Sequence, residues 1–149
     1  MRDARDPYNL MRFVEAQEDD FTQALAEIRR GRKTSHWMWY IFPQIEGLGF
    51  SATSRRYAIQ GIEEARAYLE HPLLGPRLIE CAQAVLGVEG RSAHDIFGSP
   101  DDLQLKSCAT LFACVSVPGS AFHRLLETYF HGEQDARTLE RLGRTADSR

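Results

Sequence analysis

Eight consecutive positions, Arg32-Lys33-Thr34-Ser35-His36-Trp37-Met38-Trp39, hold two cations, two hydroxyls, an imidazole and both of the protein's tryptophans. Arg32 and Lys33 could neutralise a phosphate or carboxylate, the arginine with a fork of two bonds. Backbone amides at a helix start would add partial positive charge. No glycine-rich phosphate loop motif accompanies them, and a solvated basic loop between two helices explains them equally well. His36 is the best acid–base candidate, because an unperturbed histidine titrates near neutrality. A histidine that fixes a loop by bonding a carbonyl is the commoner case. Trp37, Trp39, Tyr40 and Phe42 can stack on a base or hold a cation, although at least one tryptophan is expected to be a core anchor. On a helix Trp37 and Trp39 diverge by about 200 degrees, so one packs inward and the other meets a surface or cleft. Gln44 and Glu46 lead into Gly47 and Gly49, where they could orient a ligand, accept a proton or close the turn.

Other reactive residue types are weaker candidates. Ser107 and Thr110 are three apart and share a helix face; they could offer hydroxyls to a pocket, or simply allow tight packing. Cys108 would need a base beside it to act as a nucleophile. Asp101 and Asp102 could bind a metal, but adjacent acids at a helix start are first of all partners of its dipole. His71 is expected to cap against Pro72, and His131 to sit near a helix end. The three cysteines, Cys81, Cys108 and Cys114, are too few and too odd for a disulfide scaffold. No zinc spacing is present, so no metal and no cofactor are expected.

These residues must be positioned by an ordinary globule. The chain has 149 residues, 43% hydrophobic and 26% charged, which suits one domain over residues 7–142, with residues 1–6 and 143–149 frayed. A net charge of −3 argues against a generic nucleic-acid coat. No apolar run approaches about 18 residues, so no membrane span is expected. The first residues lack an apolar signal region, which points to the cytoplasm.

The apolar period is helical nearly throughout, predicting an all-α, compact multihelical domain of about seven short to medium helices. Leu10, Phe13, Val14 and Gln17 share one face. Asp20 is placed as the cap of a second helix carrying Phe21, Leu25 and Ile28, with Gly31 as its stop. Trp37, Tyr40 and Ile41 form a short helical stripe ended by Pro43, or a short strand. Ser51 to Ile59 makes a short helix. Ile62, Ala65 and Leu69 mark the next, and Leu74, Leu78, Cys81 and Val85 the one after. Ser92 opens a helical turn. Ser99-Pro100-Asp101-Asp102 is a start signal for a helix with Leu103, Ser107, Leu111 and Cys114. Ser120 and Asp135 cap the last two.

The string Ser35 to Gln44, with Gly47-Leu48-Gly49 and Ser51, resembles a bacterial family of domains of unknown function, numbered 1810, whose members sometimes carry the label "calpastatin". Phe13-Val14-Glu15-Ala16-Gln17, Glu64 to Leu69, His71 to Leu78, Ile96-Phe97-Gly98 and Thr110-Leu111-Phe112 extend the resemblance over roughly residues 7–142. It implies a compact, mostly helical domain and supplies no reaction. The family usually shows a lysine soon after the Pro-Asp-Asp start, where this chain has Gln104, with Lys106 two places on. Any chemistry of that lysine would be missing here or supplied from another turn.

Two functional classes follow. In the first, Arg32, Lys33, Ser35, His36, Trp37, Trp39 and Gln44 build a pocket for a small anionic, nucleotide-like ligand, with His36 as acid–base group if the ligand is turned over. In the second, the same aromatic and basic segment is an interaction patch for a protein partner.

Overall fold

The computed structural model describes residues 5–143. Among them are nine helices: α1 (Met11–Arg29), α2 (Met38–Ile41), α3 (Ala52–Arg56), α4 (Ile62–Glu70), α5 (Leu74–Leu86), α6 (Ala93–Phe97), α7 (Asp101–Ala113), α8 (Ala121–Phe130) and α9 (Ala136–Arg141). The fold is all-α, as the periodicity predicts. The count roughly fits the expectation; three of the nine, α2, α3 and α6, are no longer than five residues.

α7 is the central helix. Gln104, Leu105 and every residue from Ser107 to Ala113 are buried, as expected of a helix covered all round. α8, α6, α9 and α4 pack against it, while α5 packs against α1, α4 and α8. The hydroxyls of Ser107 and Thr110 are consumed inside α7, donating to the carbonyls of Leu103 and Lys106 four residues back. Thr110 also accepts the amide of Asp135. Both are packing residues rather than pocket hydroxyls. Cys108 is shut into the same core, where burial raises its thiol well above the ordinary value.

The first two predicted helices are one. α1 runs unbroken through Asp20, whose carboxylate accepts the Tyr40 hydroxyl instead of capping a helix. The start of α1 is held by Asp6, which accepts the amides of Leu10 and Met11 at 2.7 and 3.0 Å. The other predicted frayed positions, except Arg5 and Gly143, lie outside the described residues. Ser51, Ser92, Ser120 and Asp135 cap α3, α6, α8 and α9. α7 differs from its start signal: Pro100 is the cap residue, and Ser99 donates to Asp102. His71 Nδ1 accepts the amides of Leu73 and Leu74, fixing the entry to α5.

A piece of extended backbone interrupts the helices between α2 and α4. The Ile59 amide donates to the Gln44 carbonyl at 2.9 Å, and the Glu46 amide donates to the Ile59 carbonyl at 2.8 Å. These bonds make a parallel bridge between Ile45 and Ile59. Both isoleucines are buried, so their immediate neighbours in sequence face the other way.

Candidate ligand cleft

Two arrangements grow from the aromatic segment. The first is closed. Glu27, fully buried near the end of α1, accepts the Thr34 amide at 2.8 Å, the Ser35 amide at 3.0 Å, the Ser35 hydroxyl at 2.7 Å and Trp37 Nε1 at 2.9 Å. Gln23 donates to it as well. Burial alone would raise this carboxyl's pKa, but the donors from Ser35, Thr34 and Trp37 outweigh burial and hold it well below the usual carboxylate range. Lys33 lies across the Trp37 ring, pairs with Asp101 at 2.9 Å and donates to the Ser35 carbonyl at 2.6 Å. Lys33, Ser35 and Trp37 are therefore brought together around an internal carboxylate, with their polar groups already engaged.

The second arrangement is open. Gln44, Glu46, Gly47, Gly49 and Phe50 form one side of a cleft of about 370 Å³, and Ser54, Arg55, Ala58 and Gln60 form the other. The bridge explains its floor. With Ile45 opposite Ile59, Gln44 lies beside Ala58 and Glu46 beside Gln60, all four on the face away from the core. Ala58 contributes only a methyl, leaving a hollow between longer polar neighbours. Glu46 is paired with Arg141 of α9 at 2.9 Å. Arg55 donates to the Phe50 carbonyl at 2.7 Å and has no acidic partner among the described residues. The side-chain amides of Gln44 and Gln60 have no hydrogen-bond partner among those residues either.

The backbone behind the cleft is fixed by a second buried charge. Arg12 donates to the carbonyls of Arg56 and Ala58 at 2.7 and 2.8 Å and to Glu64 at 2.8 Å. Glu64 in turn accepts the Gln60 amide at 2.9 Å. Gly47, with φ +88, makes the turn at the other wall, and the Arg141 guanidinium occupies the space a Cβ would need.

The predicted site residues therefore divide. Gln44 lines the cleft. Trp39 is half-buried, its Cη2 3.7 Å from where a Cβ on Gly49 would stand, so its ring borders the cleft wall. Trp37 is the inward one, 1% exposed. Arg32 and His36 are exposed, and their side chains have no hydrogen-bond or ion-pair partner among the described residues. Sequence reasoning did not single out Arg55, Ala58 or Gln60. The alternation Ala58-Ile59-Gln60 is the only signal, and it is too short to register as a strand.

Residues 7–142 match the family described as "Protein of unknown function (DUF1810)". The fold is similar to the crystal structure of the conserved hypothetical protein Rv1873 from Mycobacterium tuberculosis, with a TM-score of 0.91 and 50% sequence identity, over 94% of this chain and 100% of that one. No curated protein matches. No helix among the described residues is long and apolar enough to cross a membrane. With nearly the whole chain aligned from Pro7 to Leu142, the protein belongs to the DUF1810 family.

Proposed function

We propose that the protein binds a small anionic ligand in the cleft between Gln44–Phe50 and Ser54–Gln60. The observation that carries this reading is charge. Glu46 and Arg55 are the two charged residues lining the cleft, and Glu46 is already neutralised by Arg141. The uncompensated charge facing the cleft is therefore the Arg55 guanidinium, a donor group suited to a carboxylate or phosphate. The volume lies at the lower end of the range for small-molecule sites. The ligand thus occupies the last third of the Gly31–Gly49 segment, and the part around Glu27 serves to hold that segment in place. Among the described residues His36 has no partner that would orient it for proton transfer, so this reading is one of binding.

A thermal-shift screen of the purified chain against phosphates, organic acids and nucleotides tests it. A ligand at about 100 times its dissociation constant adds about 2.7 kcal/mol, or roughly 5 to 10 °C in a chain of this size. The expected rise disappears in Arg55→Gln. No rise with any anion shifts the weight to the interaction-module reading, for which the specific observation is Phe50 on the rim, 81% exposed.

A further inference from the structure

We infer that the floor of this cleft reads the edge of a flat heterocycle carrying adjacent hydrogen-bond donors and acceptors, so that the anionic ligand is of nucleobase type. This rests on the anion reading of the same site. The inference starts from the register of the Ile45–Ile59 bridge, which sets Gln44, Glu46, Ala58 and Gln60 on one face. Each glutamine offers a carbonyl acceptor and an amino donor, and neither side chain is bonded within the described residues. A carboxamide is the side chain that pairs bidentately with an adjacent donor and acceptor on a base edge. Ala58 keeps the space between these groups clear. Glu46, opposite Gln60, retains an oxygen beyond the one that accepts Arg141. The walls suit a ring with a charged appendage: Arg55 stands on one side, and the exposed Phe50 ring rises at the rim. A simple anion such as acetate or phosphate would use Arg55 and leave both amides idle.

Calorimetric titration of the full chain separates the possibilities, with the four nucleoside 5′-monophosphates and ribose 5-phosphate as probes. The expected result is that at least one nucleotide binds about tenfold or more tightly than ribose 5-phosphate, the discrimination one bidentate pair supplies. Gln60→Leu and Gln60→Glu should each bring nucleotide affinity down to that of ribose 5-phosphate measured on the same variant, the added carboxylate of Gln60→Glu weakening every anionic probe alike; Gln60 is exposed, so both variants should keep the wild-type melting temperature. Equal affinity for nucleotides and ribose 5-phosphate, both weakened by Arg55→Gln, would overturn the base-edge inference and leave the anion reading standing. Nucleotide selectivity that survives both Gln60 variants and Gln44→Leu would also overturn it. Binding by none of the probes would overturn the base-edge inference, and the wider screen of phosphates and organic acids then decides the anion reading on its own.

Discussion

Trp37 Nε1 donates to Glu27 Oε1 at 2.9 Å, with both side chains closed off from solvent. The pair joins the end of α1 to the start of α2, and the Thr34 and Ser35 amides complete the same carboxylate. Replacing Glu27 by Gln leaves the shape but turns an amino group toward donors. A buried donor left unsatisfied costs about 1–3 kcal/mol, more when its partner was charged. Glu27→Gln should therefore destabilise the fold by roughly 3 kcal/mol, read by urea denaturation.

The same carboxylate sets an acid dependence. Its folded-state pKa lies far below its ordinary value of 4.5. As pH falls, the unfolded chain takes up this proton first, so Glu27's contribution to stability is complete above about pH 5 and declines as pH drops below its ordinary value. A plot of unfolding free energy against pH from 6 to 3 should be less steep for Glu27→Gln than for the parent chain. Equal slopes would assign the acid loss to other carboxylates.

The helices were legible because their signals are local. Capping by Ser51, Ser92, Ser120 and Asp135, and the buried stripe Leu74, Leu78, Cys81 and Val85, need nothing beyond one turn of neighbours. Asp20 misled because a good capping residue was already engaged elsewhere: its partner, Tyr40, lies twenty positions on. The candidate site was half legible for a similar reason. Aromatic and basic residues marked the segment, but whether a cation is free depends on distant partners. Glu27 and Asp101 occupy Ser35, Trp37 and Lys33. The cleft depends on a bridge between residues fourteen apart, and no periodic pattern in either short stretch announces it.

Gln104, at the position where the resemblance implies a lysine, has a structural role in this chain. Its amino group donates to the carbonyls of Met38 and Phe42 at 3.1 and 3.0 Å, closing the end of α2 from inside the core. A lysine ammonium is also a donor-only group able to reach two carbonyls. Gln104→Leu should cost roughly 2 kcal/mol, since the buried Phe42 carbonyl loses its donor and the Met38 carbonyl keeps only the Phe42 amide. Gln104→Lys should lose less than Gln104→Leu in the same denaturation experiment. The reverse order would rule out the carbonyl clamp as the reason for either residue.

Gly75 in the first turn of α5 lies against the end of α4. A Cβ there would stand 2.0 Å from the Leu69 carbonyl oxygen, which belongs to backbone and cannot rotate away. Gly75→Ala should therefore separate α4 from α5 and cost roughly 2 kcal/mol or more, as overpacking does. The result expected in a helix without that neighbour is a gain of up to about 1 kcal/mol from helix propensity. The sign of the measured change in melting temperature decides between close packing and mere helix chemistry.

Ala58 offers the cleanest block of the cleft. Its methyl lies on the polar face of the bridge, and its carbonyl is gripped from behind by Arg12 at 2.8 Å. The backbone therefore cannot retreat to accommodate a larger side chain. Leucine would extend into the cleft rather than into the packed core, so the overpacking penalty of a core insertion does not apply. Ala58→Leu should change stability by less than about 1 kcal/mol while abolishing any ligand-induced thermal shift. Arg12→Ala should do the opposite in kind, costing roughly 3 kcal/mol because it strands the buried Glu64 carboxylate. If Ala58→Leu still shows the full shift, the ligand binds elsewhere, and the platform of Gln44, Glu46 and Gln60 has no part in holding it.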